Sequence, residues 1–451
     1  MSQKVLILGA GRSGIGSAEL LLRHDADIVF LDGNKSLNVP ALLEHFDASA
    51  RGRVKVAQEL NEELTGWAEL AVLSPGIPID HEWVIRLQSA GIPVWEELEL
   101  GYRYSKGDVL AITGTNGKTT TTTLLGEIMR DTGRETFVVG NIGQAYTHIA
   151  DQTDDDSVTV AEVSSFQLES APTFHPVVSA ILNITPDHLN RHYTMENYAA
   201  VKGRIAANQT ADEYCVLNYE DERLRAFADT VQAQVIYFSS ERMLDQGIWI
   251  RDGVITYRIG EKTGEICPVD DLQILGTHNH ENAMAACAMA LAYGVDAASI
   301  AKTLRGFAGV EHRIEFVCER DGVAYYNDSK GTNPDAAIRG IRAMKRPTYL
   351  IGGGYDKGSD YKPWIEAFDG KVRELVLIGA TREAIRKDAL ACGFEEDKII
   401  LKDSFEEAVA HCMERAVSGE AVLLSPACAS WGMFSDYEER GNTFKELVRK
   451  G

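Results

Sequence analysis

The chain has 451 residues, and at roughly 150 residues per domain this length predicts about three domains. Hydrophobic residues make up 45% and charged residues 25%, a composition that can build globular cores, and no stretch approaches the roughly 20 apolar residues of a membrane helix. The net charge of −22 disfavours nonspecific binding to nucleic acid or to an anionic membrane.

The seven cysteines and the first residues of the chain indicate a reducing compartment. The cysteines are odd in number, scattered and without a Cys-x-x-Cys pair, which argues against a disulfide framework and a zinc knuckle. The N-terminus runs directly into a strand, so no secretion signal is predicted. We therefore expect a cytoplasmic protein that binds neither nucleic acid nor membrane. We expect a monomer, because no apolar stripe indicates an interface.

Residues 1–100 alternate short apolar runs with helical patterns, which predicts a first, Rossmann-like domain. The runs at residues 4–9, 27–32, 70–74 and 93–95 predict strands, and residues 14–23 have the spacing of a helix. Because strands that alternate with helices form βαβ units, we expect a parallel sheet.

A second series of strands predicts a central mononucleotide-binding α/β domain over residues 101–308. Its first strand, residues 109–113, leads into a Gly-containing loop and a Thr-rich helix. Further strands are predicted at residues 136–139, 157–163, 177–184, 214–217 and 235–238. Residues 248–275 alternate over short runs, which predicts a small antiparallel addition, and residues 279–293 have the spacing of a buried helix.

Residues 309–451 predict a third domain that is again Rossmann-like α/β. Strands are predicted at residues 322–327, 347–351, 375–378 and 420–424, each followed by a helical stretch. The predicted fold class is therefore α/β with three domains, and the boundaries lie near residues 97–108 and 306–312.

The segment Gly114-Thr115-Asn116-Gly117-Lys118-Thr119-Thr120 lies between a predicted strand and a predicted helix. Its glycines allow backbone N–H groups to face phosphate oxygens, while Lys118 and the helix N-terminus add positive charge. The Thr119 hydroxyl is placed to ligate Mg²⁺. Ile112 stands where the strict phosphate-loop pattern has glycine, so the loop is a shorter variant. The alternative is a glycine turn with a chance Lys-Thr pair.

Three further polar residues are candidates for the same site. Glu162 ends a predicted strand, and a carboxylate there faces the ligand crevice of an open α/β sheet. A Mg²⁺ ligand and a solvated charge at a strand end are both open interpretations of it. His188 follows the next strand and is expected at the same edge of the sheet. Lys202 lies in a predicted helix and is by default a surface charge.

A second glycine-rich turn, Gly9-Ala10-Gly11-Arg12-Ser13-Gly14, directly follows the first strand of the chain. Asp32 ends the second strand, where dinucleotide-binding folds place an acid against ribose. By itself this pattern predicts an NAD-dependent oxidoreductase. A nucleotide-linked substrate satisfies the same physics, because a helix N-terminus attracts any pyrophosphate. In a third interpretation the glycines only pack a strand against a helix.

Taken in order along the chain, the motifs resemble those of the Mur ligases. The central segments are Gly114–Thr119, Glu162-Val-Ser-Ser-Phe-Gln-Leu, Asn183-Ile-Thr-Pro-Asp-His188, Lys202, His278-Asn279-His-Glu-Asn282 and His312-Arg313. The third domain adds Asn327-Asp-Ser-Lys330-Gly-Thr332-Asn333, Gly352-Gly-Gly-Tyr-Asp-Lys357 and Leu424-Ser-Pro-Ala-Cys-Ala-Ser430. The resemblance covers essentially the whole chain, and the last three segments resemble the branch that adds D-glutamate.

The resemblance implies an ATP-dependent amide-bond ligase of peptidoglycan precursor synthesis. Its small-molecule substrates would be UDP-N-acetylmuramoyl-L-alanine and D-glutamate. ATP would phosphorylate the L-alanine carboxylate, and the amine of D-glutamate would then attack the acyl phosphate. The N-terminal domain would hold the UDP-linked substrate, the central domain would hold ATP, and the C-terminal domain would bring D-glutamate.

The resemblance also implies an ATP site and two Mg²⁺ ions. The residues in contact with ATP would be Gly114, Thr115, Asn116, Gly117, Lys118, Thr119, Thr120, Asn282 and Arg313. Thr119 and Glu162 would bind one ion, and His188 would bind the other together with Lys202 in carbamoylated form. The carbamate makes chemical sense because an ammonium cannot ligate a cation, whereas carbamate oxygens can.

The substrate residues that the resemblance implies form two sets. Those for the UDP-linked substrate are Arg12, Ser13, Asp32, Gly33, Ser74, Pro75, Gly76, Asn141 and His188. Those for D-glutamate are Lys330, Thr332, Lys357 and Ser430, with Tyr437 alongside. Cations and hydroxyls of this kind replace the hydration that a dicarboxylate loses on binding. Asp356 and Asp360 are candidates for contact with the adenosine ribose.

Alternatives of two classes stay open from the sequence alone. Within the superfamily, one alternative is folylpolyglutamate synthase, and another is a Mur enzyme that adds L-alanine or a diamino acid. Both are disfavoured by residues 328–332 and 425–430 and by the N-terminal glycine turn. A ligase that adds L-glutamate instead of D-glutamate also stays open, because the chirality of the amino acid is selected by side-chain geometry that a sequence does not show. From a different class, an NAD-dependent oxidoreductase would leave the second loop, Glu162 and His188 without roles.

Overall fold

A computed structural model describes residues 2–141, 144–355 and 358–450 of the chain. It divides into two compact units, Met1–Pro268 with Glu281–Leu304, and Val269–His280 with Arg305–Gly451. Within the described residues the first unit contains an N-terminal and a central sheet, and the second unit contains a C-terminal sheet. The predicted α/β class with three domains is therefore confirmed.

The N-terminal sheet is parallel, with the order β3-β2-β1-β4-β5. Its strands are β1 (Lys4–Leu8), β2 (Asp27–Leu31), β3 (Val54–Ala57), β4 (Leu70–Leu73) and β5 (Val94–Glu96). The helices are α1 (Arg12–Arg23), α2 (Val39–Glu44), α3 (Glu62–Trp67), α4 (Glu82–Ser89) and α5 (Glu97–Tyr104). Because the order reverses between β1 and β4, the loops after these strands part and leave a crevice. The sequence did not predict β3, a short edge strand interrupted by the exposed Lys55.

The central sheet has the order β14-β13-β12-β11-β10-β9-β6-β8-β7. Its strands are β6 (Asp108–Thr113), β7 (Thr136–Gly140), β8 (Val158–Glu162), β9 (Val178–Ile181), β10 (Tyr214–Asn218), β11 (Gln234–Ser239), β12 (Gly247–Arg251), β13 (Val254–Ile259) and β14 (Lys262–Pro268). Its helices are α6 (Lys118–Asp131), α7 (Tyr146–Ile149), α8 (Ser165–Leu168), α9 (Leu189–His192), α10 (Met195–Gly203), α11 (Glu222–Ala228), α12 (Thr277–Ala292) and α13 (Ala297–Gly306). The pairs β12–β13 and β13–β14 are antiparallel, which confirms the predicted antiparallel addition.

The C-terminal sheet has the order β15-β16-β20-β17-β18-β19. Its strands are β15 (Glu315–Arg320), β16 (Val323–Asn327), β17 (Thr348–Gly353), β18 (Val372–Ile378), β19 (Ile399–Leu401) and β20 (Ala421–Leu424). The helices are α14 (Pro334–Ala343), α15 (Lys362–Glu366), α16 (Arg382–Ala391), α17 (Phe405–Arg415) and α18 (Tyr437–Lys450). The antiparallel edge strand β15 and the short β19 were not predicted, because β15 mixes charged with apolar residues and β19 is too brief to show a period.

Apolar runs in the sequence become strands that are covered on both faces. Val5, Leu6, Ile7 and Leu8 of β1 are all fully buried. Continuous apolar runs of this kind are typical of parallel strands between two layers of helices, whereas a strand with one wet face alternates. In the described residues, none of the helices combines the length and the apolar character that spanning a membrane requires.

The junction between β5 and α5 buries two adjacent glutamates. Glu97 accepts hydrogen bonds from the backbone N–H and the hydroxyl of Thr147, at 2.8 and 2.9 Å. Glu96 is fully buried, and within the described residues neither of its carboxyl oxygens has a hydrogen-bond partner. Burial therefore raises the pKa of Glu96 well above its ordinary value of 4.5, and the nearby Arg191 offsets this in part.

Glu96→Gln is expected to stabilise the protein by an amount that grows with pH. The unfolded chain loses the Glu96 proton near pH 4.5, whereas the folded chain keeps it to higher pH, so wild-type stability falls as the pH rises above 4.5. Glutamine carries no such proton, so the gain should grow by about 1.4 kcal/mol for each pH unit above 4.5 until the folded state also loses the proton. Urea unfolding at a series of pH values measures it, with the exposed Glu59→Gln as control. A difference that does not change with pH would contradict the neutral Glu96.

Candidate functional site

The phosphate loop, residues 114–117, connects β6 to α6 at the carboxyl edge of the central sheet. Gly114 and Gly117 have φ angles of 145° and 88°, which residues with a side chain rarely adopt. A Cβ at Gly117 would lie 2.2 Å from Oδ1 of Asn282. Asn282 therefore packs directly on the loop, and position 117 requires glycine.

Lys118 is the first residue of α6 and bends back over the loop. Its Nζ donates to the carbonyl oxygens of Gly114 and Thr115, each at 2.9 Å. Thr119 and Thr120 follow in the first helical turn. The ammonium group and the N-terminal N–H groups of α6 thus concentrate positive charge where a phosphate group would bind.

Asn183, just beyond β9, fixes the loop from the neighbouring strand. Its Oδ1 accepts from the backbone N–H of Asn116 at 2.8 Å, and its Nδ2 donates to the carbonyl of Asn116 at 3.1 Å. The backbone N–H of Thr115 donates to the Asn183 carbonyl at 2.9 Å. Asn183 lies within one of the family motifs but had no role predicted from the sequence. Its position after a buried strand at the same edge was the available signal.

Glu162 is the last residue of β8 and is 2% exposed. Parallel pairing sets it opposite Ile112 of β6, close to the start of the phosphate loop. Its Oε1 accepts from Nδ2 of Asn141 at 3.1 Å, whereas its buried Oε2 has no hydrogen-bond partner among the described residues. A buried carboxylate oxygen without a donor is suited to a cation.

Lys202 is 1% exposed, so the default interpretation as a surface charge is wrong. Its Nζ donates to the Gly114 carbonyl at 2.8 Å and lies 4.8 Å from the centroid of the Tyr198 ring. Burial, with repulsion from Lys118, lowers the pKa of Lys202 to about 7. A substantial fraction of this amine is therefore neutral at physiological pH.

His188 precedes α9 with a φ of 51°, an uncommon conformation for a residue with a side chain. Its side chain is 49% exposed, and its ring lies 4.8 Å from that of Phe166. Within residues 2–141, 144–355 and 358–450, no three His, Cys, Asp or Glu side chains come together as a metal-binding group. The two-ion site stays a prediction.

The predicted UDP-binding residues of the N-terminal domain lie on loops and at the start of α1, beyond the carboxyl ends of β1, β2 and β4. Asp32 accepts from the backbone N–H groups of Ala10 and Asn34, both at 2.9 Å, and so orders the glycine turn. Ser74 Oγ lies 3.4 Å from the Gly9 carbonyl oxygen. The structure thus places Asp32 and Gly33 on the loop after β2 and Ser74, Pro75 and Gly76 on the loop after β4, while Arg12 and Ser13 begin α1 directly after the glycine turn that follows β1. Their contact with a ligand stays a prediction.

In the second unit, a buried network joins the loops after β16 and β20. Ser425 donates to the Asp328 carboxylate at 2.6 Å, and burial raises the pKa of Asp328 to about 7. The fully buried Arg440 donates to the hydroxyl and the carbonyl of Ser329 at 2.9 and 2.8 Å. Neither Asp328 nor Arg440 had a role predicted from the sequence. The helical spacing that sets Arg440 on the same face as Phe444 and Val448 was the available signal.

The residues predicted for D-glutamate lie around this network. Lys330 Nζ is 5.2 Å from the centroid of the Tyr437 ring, and the backbone N–H of Thr332 donates to the Lys330 carbonyl at 2.8 Å. Ser430 is buried beyond β20. Arg313, predicted for ATP, lowers the pKa of Asp328 in opposition to burial. Asp356 and Lys357 lie outside the described residues.

Comparison with protein families assigns nearly the whole chain. Residues 3–96 match the model of a Mur ligase MurD-like N-terminal domain, residues 112–290 a Mur ligase middle domain, and residues 312–428 a Mur ligase glutamate ligase domain. The chain belongs to the Mur ligase family. The family was correctly identified from the motifs.

Relatives with assigned activities extend over the full chain. A UDP-N-acetylmuramoylalanine–D-glutamate ligase of Lachnoclostridium phytofermentans is 52% identical, over 99% of this chain and 98% of the relative. A protein with the same description from Lachnospira eligens is 51% identical over the same shares. One from Caldanaerobacter subterraneus is 46% identical over 99% of this chain and 98% of its own.

Solved structures share the fold at low sequence identity. The UDP-N-acetylmuramate–alanine ligase MurC of Thermotoga maritima has a TM-score of 0.61 at 17% identity and covers 99% of both chains. MurF of Acinetobacter baumannii has a TM-score of 0.62 at 16% identity, covering 99% of this chain and 93% of that one. At such identities the likeness supports the three-domain fold and no more.

Asn183→Ala is expected to weaken nucleotide binding roughly tenfold, because two hydrogen bonds that shape the phosphate loop are lost. Titration with a fluorescent ATP analogue measures the change. Asn208→Ala is the matched control, since the Asn208 side chain also makes two hydrogen bonds to the backbone, donating to the carbonyls of Pro172 and Phe174, both at 3.0 Å. Equal affinity in both variants would show that Asn183 does not shape the nucleotide site.

Proposed function

We propose that this protein joins D-glutamate to UDP-N-acetylmuramoyl-L-alanine in an ATP-dependent reaction of peptidoglycan precursor synthesis. One observation carries the proposal: a D-glutamate ligase is 52% identical over 99% of the chain. The phosphate loop and the buried Glu162, together at one sheet edge, supply chemistry that such a reaction needs. The partners are small molecules, and we expect a monomer in the cytoplasm.

The reaction proceeds in two balanced steps. A carboxylate oxygen of L-alanine attacks the γ-phosphorus of ATP, and the bond to the bridging oxygen breaks to give an acyl phosphate and ADP. The amine of D-glutamate then attacks the acyl carbon, phosphate leaves and the new amide nitrogen releases a proton. Lys118 and the N-terminus of α6 neutralise charge on the transferring phosphoryl group, and Asn282 and Arg313 bind the nucleotide.

Glu162 and Thr119 hold one Mg²⁺ in this proposal. The unpartnered Oε2 of Glu162 supports the assignment, because Mg²⁺ in phosphoryl-transfer sites takes one or two carboxylates together with phosphate oxygens and water. When bound, Mg²⁺ neutralises phosphate charge and orients the reacting groups. His188 and a carbamate on Lys202 hold a second ion.

The carbamate on Lys202 rests on the position of its amine. The lysine ammonium first loses a proton, the neutral amine then attacks the carbon of CO₂, and loss of a second proton from nitrogen leaves an anionic carbamate. The pKa of Lys202, about 7, leaves much of the amine neutral and able to react. Lys202 is close to the phosphate loop through its bond to Gly114, so a carbamate would carry its oxygens near the bound phosphates.

Two further sets of residues bind the substrates. The loops after β1, β2 and β4, with Asn141 and His188, bind the UDP-linked substrate. The carboxylates of D-glutamate bind to Lys330, Thr332, Lys357 and Ser430, and Tyr437 packs alongside. Asp356 is assigned to the ribose of ATP.

The proposed function is tested by phosphate release from the purified protein. Release should require ATP, UDP-N-acetylmuramoyl-L-alanine and D-glutamate together, and mass spectrometry should detect the amide product. A panel of amino acids that includes L-glutamate, L-alanine and diaminopimelate tests the acceptor. Lys118→Ala serves as the inactive control, because charge neutralisation and positioning carry phosphoryl transfer. Equal turnover with L-glutamate, or stoichiometric binding of NADH without turnover, would contradict the proposal.

Lys202→Ala is expected to lose most activity and to regain part of it with added short carboxylates such as acetate. A small carboxylate occupies the vacated space and replaces the oxygens of the carbamate. Activity at rising acetate concentration measures the recovery, and chloride at equal ionic strength is the control. A folded variant that acetate does not rescue would count against the carbamate.

A further inference from the structure

We propose that Arg191 is a positioning residue that holds the loop 74–77 of the N-terminal domain in place next to His188. The inference rests on the proposed function, because that loop is assigned to the UDP-linked substrate. Arg191 had no role predicted from the sequence.

Arg191 joins the central domain to the backbone of this loop. Its Nη1 donates to the Pro75 carbonyl at 2.8 Å, and its Nη2 donates to the Ile77 carbonyl at 3.1 Å. The two carbonyls flank Gly76, and the backbone N–H of Ile77 closes the turn on the Ser74 carbonyl at 2.9 Å. One guanidinium group thus fixes the loop on both sides of its most exposed residue.

The guanidinium group is itself held rigidly. Its Nε lies 3.1 Å from Oε1 of Glu169, and its Nη2 lies 2.5 Å from Oε2, so the pair is bidentate. The side chains of Arg191 and Glu169 are only 9% and 6% exposed, so water competes little for these bonds. The Arg191 Cζ also lies 4.2 Å from the centroid of the Phe166 ring.

Arg191 lies in the short helix α9, and His188 directly precedes that helix. The backbone N–H of Arg191 donates to the His188 carbonyl at 2.9 Å, and both side chains pack against Phe166. Two residues further on, the Tyr193 hydroxyl donates to Asp80 at 2.5 Å, which gives a second contact with the N-terminal domain. The Arg191 side chain therefore links loop 74–77 directly to the segment that follows His188.

Lysine cannot reproduce this arrangement. An ammonium is a point charge on a flexible stem, whereas the planar guanidinium presents its donors in a fixed fork. A lysine at position 191 would retain the charge beside Glu169 but could not also hold both loop carbonyls. The loop would then sample more conformations, and the UDP-linked substrate would bind more weakly.

The test is a kinetic comparison of wild-type protein with Arg191→Lys and Arg191→Ala. For Arg191→Lys, the KM for UDP-N-acetylmuramoyl-L-alanine should rise at least about tenfold, while the KM for ATP stays within about twofold, because the phosphate loop is untouched. Hydrogen exchange of the segment 74–80 should accelerate in the same variant. Added guanidinium ions should lower the raised KM of Arg191→Ala.

Arg103→Lys is the matched control. Arg103 pairs with the buried Glu99 at 2.7 Å and lies 4.2 Å from the centroid of the Trp95 ring, which copies the ion pair and the stacking of Arg191 without its loop contacts. This variant should keep the wild-type KM for the UDP-linked substrate and the wild-type exchange of segment 74–80.

The outcomes separate the two proposals. Absence of turnover in the wild-type protein overturns the proposed function and, with it, this inference. If the wild-type protein is active, an unchanged KM for the UDP-linked substrate in both Arg191 variants overturns the inference alone. An equal rise in the KM for ATP, or an equal effect of Arg103→Lys, shows a general structural role and also overturns it.

Discussion

The parallel register of β6, β8 and β9 is the constraint on which the candidate site depends. Hydrogen bonds between these strands set Ile112 opposite Glu162 and Ala180 opposite Ile112 on the other side. Parallel strands end at the same edge, so the segments that follow them must meet there. This shared edge is why the phosphate loop after β6, the Glu162 carboxylate at the end of β8 and Asn183 after β9 lie close together.

Several charged groups near the candidate site and in the second unit are withdrawn from water. Lys202 and Asp328 each have a pKa near 7, with burial as the main cause, and each lies in a segment that the family resemblance singles out. Burial of a charge is costly unless partners compensate. For the buried Arg191 this cost is offset, because the Glu169 carboxylate and two backbone carbonyls accept hydrogen bonds from most of the N–H groups of its guanidinium.

Much of the fold was predictable because its strands are covered on both faces. Apolar runs such as the one in β1 need no tertiary information to be recognised, and the phosphate loop follows such a run directly. The edge strands β3, β15 and β19 escaped prediction for the opposite reason. An edge strand is short, half exposed and stabilised by its neighbour, so its own residues carry little signal.

The sequence by itself determined the α/β class, the phosphate loop and the family, since these depend on local pattern and on motifs. Tertiary structure decided which polar residues meet. It buried Lys202, which a helical pattern alone places at the surface, and it left one Glu162 oxygen without a donor. It also brought Arg191 to a loop more than a hundred positions earlier in the chain. Burial and long-range hydrogen bonds depend on how strands and helices pack, and local pattern does not contain that information.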